Sequence, residues 1–245
     1  VIANTAEDVG GLVGSNDGTV RNSYATGDVI SDDQYAGGLV GSTSGLVTTS
    51  YATGDVEAPS SNSVGGLAGS AFGTVRKSYA VGNVNGDSQV GGLVGLNGGT
   101  AEKSYAVGNV SGSSNVGGLV AENRGTVENS YWDRGTTNQS NAIGNNEATA
   151  TGLNGFGATS DTEPAPEITG RSAETNLDAF DFTNTWTVEQ GATVSYPYLR
   201  SNTQTPAPGL QTLYAGGDGS ESAPYVIEDW HQLNNTRENP TANFT

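Results

Sequence analysis

The chain has 245 residues, and its 26 acidic and 9 basic side chains give a formal net charge of −17 at pH 7. A field of that sign repels phosphate backbones, so nucleic acid is excluded as an expected partner. The sequence has no cysteine, which excludes disulfides and thiolate metal sites, and no run of about 18 apolar residues that would insert into a membrane.

The charge is sparse as well as one-sided. Charged residues make up 14% of the chain and the apolar residues recur periodically, which argues against an acidic disordered segment. Lysine occurs only at Lys77 and Lys103. An acidic, lysine-poor surface keeps a protein soluble in concentrated salt, so the composition favours a salt-adapted microbe or its virus. Methionine is absent, which indicates a chain that is processed or part of a longer protein.

Five copies of one 26–28-residue unit follow each other along the first half of the chain. Each copy opens with a stretch like V-G-G-L-V-G and carries a tyrosine at the same place, and both markers advance by 27, 28, 26 and 26 residues. Two independent markers with one period indicate a solenoid or array. The copies begin at Val9, Ala36, Val64, Val90 and Val116, and their tyrosines are Tyr24, Tyr51, Tyr79, Tyr105 and Tyr131.

Within a copy, short apolar stretches alternate with glycine, asparagine, aspartate and serine. That spacing is typical of short strands joined by corners and leaves no room for an ordinary helix. One copy is too small to bury its apolar side, whereas stacked copies can pair each strand with its equivalent about 4.8 Å away. The sequence therefore predicts an all-β fold, a parallel β-solenoid of about five rungs, with glycines at its corners.

Columns of equivalent residues predict which side chains face inward. The nearly invariant columns that start at Ser23 and Ala25 suggest tight interior places, whereas the column of Arg21 varies as an outward column does. The tyrosines should form a ladder of stacked rings. Strict alternation from Val20 points the tyrosines inward, whereas a bulge near Asn22 would redirect them, and the sequence leaves both possibilities open.

A column of aspartate and asparagine marks one corner of each copy. Such side chains satisfy backbone amides in turns, and this structural role is the favoured interpretation. Metal binding by the column is the alternative, but half of its members are uncharged amides. The column consists of Asp28, Asp55, Asn83 and Asn109.

The fifth copy breaks the pattern at Trp132, where the other copies have alanine. A large ring at a small-residue position should prevent another identical rung. The solenoid is therefore predicted to span residues 1–134 and to need a cap beyond them.

The second half of the chain lacks the repeat. Residues 135–200 are predicted to form an irregular crossing and an aromatic-rich cap that packs across the solenoid end. A threonine- and proline-rich linker at 201–209 would then lead to a terminal segment, 210–245. The elements predicted here are a short helix near 172–180, a strand at 225–227 and a helix near 229–238.

The copies resemble the short GLUG repeat, named for its G-L-hydrophobic-G core. The resemblance covers residues 9–133, and the fifth copy departs from it with Ala121 in place of the closing glycine. Residues 180–199 resemble the segment that often comes after such repeats in microbial surface proteins, and residues 216–233 resemble the opening of another repeat block. The intact cores are 11–14, 38–41, 66–69 and 92–95, and a similar N-S-Y-A-T-G stretch lies at 22–27.

The resemblance implies where the protein works rather than a reaction. Proteins with this repeat include haemagglutinin-type adhesins, non-catalytic parts of bacterial immunoglobulin A proteases, and large surface proteins of halophilic archaea. It therefore implies an extracellular protein, on a cell or virion surface, with a stalk or adhesive role. It carries no catalytic residue.

The residues themselves give no catalytic constellation. The single histidine, His231, has no HExxH spacing around it, and the chain has no G-x-S-x-G elbow. Acidic pairs such as Asp32-Asp33 fall in variable corners and are interpreted as solvated loops. We therefore expect no enzyme and no catalytic, cofactor-binding or metal-binding residue. Acceptor sequons N-x-S/T occur at Asn109, Asn138, Asn234 and Asn243.

The sequence thus predicts an extracellular structural or adhesive module whose variable corners, residues 30–35, 57–63 and 85–89, contact surface glycans or proteins. An alternative is a subunit of a head-to-tail filament or virus fibre, in which residues 210–245 cap the next copy. The competing class is a carbohydrate-active enzyme, which needs a groove with paired carboxylates near an arginine or His231.

Overall fold

The computed structural model describes residues 1–3, 7–32, 34–160, 165–228, 232–233, 236 and 241–245. The chain divides into two compact units, Val1–Ala165 and Pro166–Thr245. Unit 1 is a parallel β-solenoid of about six turns, which confirms the predicted fold class.

Each turn of unit 1 contributes a strand to as many as five parallel sheets, which we number in the order in which the chain enters them. Sheets 1 and 2 have five strands each. Sheet 1 consists of Ile2–Ala3, Val29–Ser31, Val56–Ala58, Val84–Gly86 and Val110–Ser111. Sheet 2 consists of Asp8–Gly10, Tyr35–Gly37, Ser63–Gly65, Ser88–Gly91 and Ser114–Gly117.

Sheets 3, 4 and 5 have six strands each. Sheet 3 consists of Val13–Asn16, Val40–Thr43, Ala68–Ala71, Val94–Asn97, Val120–Asn123 and Ile143–Asn146. Sheet 4 consists of Thr19–Arg21, Leu46–Thr48, Thr74–Arg76, Thr100–Glu102, Thr126–Glu128 and Thr149–Thr151. Sheet 5 consists of Tyr24–Ala25, Tyr51–Ala52, Tyr79–Ala80, Tyr105–Ala106, Tyr131–Asp133 and Asn154–Phe156.

Two apolar clusters lie in the interior of the described part of unit 1. Sheets 3, 4 and 5 surround the larger cluster, which contains Val40, Val47 and the leucines of copies two to five, Leu39, Leu67, Leu93 and Leu119. Sheets 1 and 2 enclose the smaller cluster, which contains Val29 and Val64. Each turn buries too few apolar side chains to be stable alone, so the stacking of turns supplies the core.

Glycine separates these two clusters. A Cβ added to Gly10, in sheet 2, would lie 2.1 Å from the carbonyl oxygen of Val13 and 2.7 Å from the amide nitrogen of Gly41. A Cβ on Gly41, in sheet 3, would lie 2.5 Å from the amide nitrogen of Val9. No side chain fits where two backbones approach so closely. The prediction that glycines mark corners is therefore wrong for Gly10 and Gly14, which lie in strands where sheets 2 and 3 touch, and it is confirmed for Gly11, Gly18 and Gly27, which lie between strands.

The tyrosines point away from the larger cluster. Ala25 packs in that cluster with Val20, and Tyr24, one residue earlier in its strand, faces the opposite side and is 54% exposed. Asn22 has a φ of 49°, and the left-handed residue at this corner, rather than a bulge, sets the direction of the next strand. The same corner is left-handed in the next four copies.

The predicted tyrosine ladder is present. Rings of successive turns stack with centroid separations of 5.2, 4.9 and 5.1 Å from Tyr24 to Tyr105, and Tyr131 makes a tilted contact with Phe156 of the next turn at 6.2 Å. The rings of Tyr51 and Tyr79 are buried, and burial raises the pKa of the Tyr51 hydroxyl.

The serine column forms a hydrogen-bonded ladder. The Ser78 hydroxyl donates to the carbonyl oxygen of Arg76 at 2.8 Å and accepts the amide of Ser50 at 3.2 Å. Ser50 and Ser104 repeat both contacts in their own turns. The hydroxyl thus bonds successive repeat copies to each other, which explains why the column does not vary among the five copies.

A sixth turn follows Trp132, so the expectation that this residue ends the stack is wrong. Trp132 pairs with Gly155, and a Cβ on Gly155 would lie 2.4 Å from Cζ2 of the indole. The glycine leaves room for the ring. Strands also continue sheets 3 and 4 in this turn, beyond the predicted boundary at residue 134.

A short helix replaces sheets 1 and 2 in the sixth turn. Helix α1, Arg134–Thr137, begins at the buried Asp133, whose Oδ1 accepts the amides of Gly135 and Thr136 at 2.8 and 3.2 Å. The second carboxylate oxygen accepts the amide of Ala165 at 2.7 Å. Three backbone donors thus satisfy a buried carboxylate and hold the end of unit 1 in place.

Unit 2 contains a 3-10 helix, Pro166–Ile168, and helix α2, Gly170–Asn176, which places the predicted helix near 172–180 a little earlier in the chain. Trp186–Thr187 pairs with Tyr198–Leu199, and Thr193–Val194 pairs with Gln211–Thr212, both antiparallel.

Aromatic side chains dominate the interior of unit 2. Phe180 stacks on the buried Trp186 at 4.4 Å, and Tyr214 stacks on Tyr225 at the same distance. The Tyr198 hydroxyl donates to Glu189 at 2.6 Å, and burial with this hydrogen bond raises its pKa to about 12.

Parts of the predicted organisation of the second half stay predictions. In place of the strand predicted at 225–227, Tyr225 forms an isolated bridge to Phe244 and Val226 one to Gly216. Most of the helix predicted near 229–238 lies outside the described residues. The division into a crossing with a cap, a linker and a terminal segment also stays a prediction.

Candidate interaction surface

The predicted ligand-contact corners lie one above another. Residues 30–35, 57–63 and 85–89 each join sheet 1 to sheet 2, and the strands on both sides are in register from turn to turn. We call the described residues of these three loops the variable edge; Asp33 lies outside the described residues. Loops of different sequence stacked on rigid strands are a common arrangement for binding.

Side chains on sheet 1 hold the variable edge in a fixed geometry. The side-chain amide of Asn85 donates to Glu57 Oε2 at 3.0 Å, and the Ser111 hydroxyl donates to Asn85 Oδ1 at 3.2 Å. These contacts link three successive turns at the surface. A ligand would therefore meet ordered polar groups instead of loose side chains.

The variable edge is acidic. Its sequence includes Asp32, Glu57 and Asp87 and contains no lysine or arginine. Carboxylates without basic neighbours repel anionic ligands and hold water and cations. The edge therefore suits hydroxyl-rich neutral polymers or cation-bridged surfaces better than phosphate or sulfate groups.

The corner column of aspartate and asparagine binds backbone. Asp28 Oδ1 accepts the amide of Asp55 at 3.0 Å, and Asp55 Oδ1 accepts the amide of Asn83 at 2.7 Å. Asn83 Oδ1 accepts the amide of Asn109 at 2.9 Å. This confirms the structural interpretation of the column. Each of these side chains accepts the backbone amide of the equivalent residue in the next turn. Aspartate and asparagine interchange because the contact needs only one acceptor oxygen.

The residues considered for catalysis are only partly described. His231 and Asp33 lie outside the described residues. Within the part of the chain that the structure describes, no group of three or more histidine, aspartate or glutamate residues is placed to hold a metal ion. The expectation that the chain has no catalytic, cofactor-binding or metal-binding residue stays a prediction.

A buried acidic residue, Glu122, was not among the residues that the sequence singled out. Its Oε1 lies 2.5 Å from Nη2 of Arg124, and its Oε2 accepts a hydrogen bond from the side-chain amide of Gln89, a residue with a φ of 52°. The contact ties a strand of sheet 2 to the sheet 3 strand of the next turn. The sequence does contain a signal for this residue. The equivalent position is Ser70 and then Leu96 in the two preceding turns, so a glutamate at position 122 stands out.

Within the described residues, no helix has the length and apolar character that a membrane crossing requires.

Comparisons with known proteins support the repeat assignment. The GLUG motif matches residues 5–30 and 32–57, which confirms the resemblance for the first two copies. Over 98 residues the chain is 40% identical to halomucin of Haloquadratum walsbyi, a match that covers 39% of this chain and 1% of halomucin. The matched region is thus a very small part of that relative. No solved structure matches the chain.

Proposed function

We propose that the chain is a module of a microbial cell-surface protein, and that unit 1 is a stiff, non-catalytic spacer that displays the variable edge. The observation that carries the proposal is the turn-to-turn satisfaction of polar side chains. The serine ladder and the aspartate–asparagine ladder both bond each turn to the next. Such a stack resists bending and local opening, as a stalk requires.

The comparisons support the surface location. The GLUG motif and the similarity to halomucin, a protein of Haloquadratum walsbyi, agree with the acidic composition of this chain. Protease treatment of intact cells that produce the tagged full chain tests the location. We expect cleavage of the tag without lysis, and protection of the tag until lysis would contradict a surface role.

The adhesive part of the proposal rests on the variable edge. Biolayer interferometry at molar salt measures the affinity of the full chain for neutral and acidic polysaccharides. We expect the chain to bind the neutral, hydroxyl-rich polymers. The double variant Glu57→Gln, Asp87→Asn should change affinity about tenfold, whereas Glu128→Gln on sheet 4 should not, because only the first pair lies on the edge. If no polymer binds, the module is a spacer and not an adhesin.

Self-assembly is the second candidate. It rests on the terminal segment 210–245, in which residues 216–233 resemble the opening of another repeat block. Within unit 2, Leu213 and Tyr214 of this segment pack with Val194. The segment would cap the next copy in a head-to-tail filament.

Electron microscopy at molar salt tests the assembly. Fibres that the natural chain forms and that are lost on deletion of residues 210–245 would support the terminal segment as the joint. Fibres that persist after the deletion, or an absence of fibres, would remove the candidate.

The non-catalytic role has its own assay. Incubation with the polysaccharides bound in the affinity experiment should release no reducing ends. Turnover would favour the competing class, a carbohydrate-active enzyme.

A further inference from the structure

An exposed turn follows helix α1, and its backbone is fixed from several sides. Asn138 is the C-cap of the helix, with φ 56° and ψ 27°. The next residue, Gln139, accepts a hydrogen bond from the Trp132 indole at 2.9 Å and donates its side-chain amide to the Val110 carbonyl at the same distance. Its own amide donates to the Thr137 hydroxyl at 3.3 Å. The turn is therefore rigid although it lies at the surface.

The two side chains that flank Gln139 are presented to solvent. Asn138 and Ser140 are exposed, and within the described part of the chain neither side chain forms a hydrogen bond. Together the three residues spell the N-x-S acceptor sequon. A transferase must reach both the asparagine amide and the hydroxyl two residues later, and here both are free.

We propose that Asn138 is an N-glycosylation site. The donor would be an oligosaccharide linked through phosphate or diphosphate to a membrane lipid. A bond forms between Asn138 Nδ2 and the anomeric carbon, the bond from that carbon to the phosphate oxygen breaks, and the amide proton leaves with the lipid phosphate. The assignment rests on the proposed surface location, since such donors act on exported chains.

The sequon at Asn109 is placed differently. Its second and third residues form the strand Val110–Ser111, in which Val110 is buried. The Ser111 hydroxyl is held by Asn85 Oδ1 at 3.2 Å. A transferase would have to open sheet 1 to engage this hydroxyl.

The sequon at Asn243 is engaged as well. The Asn243 side-chain amide donates to the Gly219 carbonyl at 3.2 Å, and its backbone carbonyl accepts the amide of Tyr225 at 2.8 Å. The fourth sequon, at Asn234, lies outside the described residues. Among the three described sequons, the one at Asn138 is thus the only one with both reacting groups free.

A glycan at Asn138 would also protect the solenoid. In the described residues, sheets 1 and 2 end at Val110–Ser111 and Ser114–Gly117, while the other three sheets continue. Gln139 covers one carbonyl of the terminal strand of sheet 1. A bulky, hydrated group on the neighbouring residue would hinder other chains from pairing with these edges.

Site-resolved mass spectrometry of the full chain, purified from a haloarchaeal host, tests the assignment. We expect a glycan on the Asn138 peptide in most molecules and no glycan at Asn109. Ser140→Ala and Asn138→Gly should each remove it, the latter with a residue that tolerates positive φ. Ser140→Thr keeps the sequon and should keep the glycan, and Asn109→Asp should leave the total glycan mass unchanged.

The outcomes separate this assignment from the proposed function. A chain that protease reaches on intact cells but that is unmodified at Asn138 would overturn only the glycan assignment. Modification at Asn109 or Asn243 instead of Asn138 would also overturn it. A chain retained inside the cell without a glycan would overturn both.

Discussion

At the scale of single residues, the corner between sheets 4 and 5 imposes an unusual backbone conformation once per turn. The five corner residues have φ between 48° and 50°. Asparagine tolerates this left-handed region, whereas a β-branched residue does so only with strain. The corner residues are Asn22, Thr49, Lys77, Lys103 and Asn129.

Thr49→Asn should therefore stabilise the protein. Replacing the strained threonine should raise the free energy of unfolding by about 1 kcal/mol, and the new side chain can still bond to Asn22, which the Thr49 hydroxyl now contacts at 2.6 Å. Urea denaturation followed by circular dichroism measures the change.

The reciprocal substitution is the control. Asn129→Thr places the β-branched residue at the same φ and should destabilise by a similar amount. Equal stability of both variants and the natural chain would show that the corner relaxes without strain.

Ser78→Ala tests the serine ladder. It leaves the buried Ser50 amide without its side-chain acceptor and removes one donor from the Arg76 carbonyl, which keeps the Thr49 amide. The expected loss is about 1–3 kcal/mol in the same denaturation experiment. Ser113→Ala, at an exposed serine, should change stability by less than about 0.5 kcal/mol. If both alanine variants behave alike, the ladder contributes nothing to stability.

At the scale of elements, the repeat period predicted the strands because equivalent residues stack in register. Tyrosine pairs with tyrosine and valine with valine from copy to copy, as in Tyr51 with Tyr79 and Val56 with Val84. A marker that recurs in sequence is therefore a column in space. The same logic placed the corner column at residues whose side chains bond successive turns.

The sixth turn escaped prediction because it keeps the geometry and loses the markers. Ile143 takes the place of Val120 and Asn146 that of Asn123, while Asn154 stands where the other turns have tyrosine. What remains is an apolar residue, a glycine and an asparagine at the right spacing, which is too little to recognise in a polar stretch. The contact between sheets 2 and 3 was also hidden, because glycine serves turns and close approaches equally well.

Gly155→Ala should detach the sixth turn. Its new methyl would lie inside the indole of Trp132, and overpacking of this kind costs about 1–3 kcal/mol. Hydrogen exchange should show faster exchange at the amides of Asn154 and Thr149, which now bond to the fifth turn.

The double variant Trp132→Ala, Gly155→Ala supplies the matched control. Alanine is the residue that pairs with its equivalent in the preceding turns, so the double variant should recover part of the lost protection. If Gly155→Ala leaves exchange unchanged, the ring has room to move and the glycine is not required.

At the scale of the whole molecule, most acidic side chains have no basic side chain to pair with. The chain carries 17 more acidic than basic side chains, and one of the few basic ones, Arg124, already contacts both Glu122 and Glu147. In sheet 4, Glu102 and Glu128 even occupy the same column in adjacent turns. Such charges destabilise the folded chain by repulsion wherever salt does not screen them.

Salt should therefore stabilise this protein instead of weakening it. Between 0.1 and 1 M salt the screening length falls from about 10 to about 3 Å, shorter than the separation of most surface charges. The melting temperature in sodium chloride should rise by several degrees over this range, because repulsion is screened and few attractive pairs are lost.

Glu128→Gln should raise the melting temperature at low salt and lose that advantage at high salt. Sucrose, which stabilises proteins by exclusion without screening charge, should leave the advantage of Glu128→Gln intact. A melting temperature that falls with sodium chloride would mean that attractive pairs outweigh the repulsion.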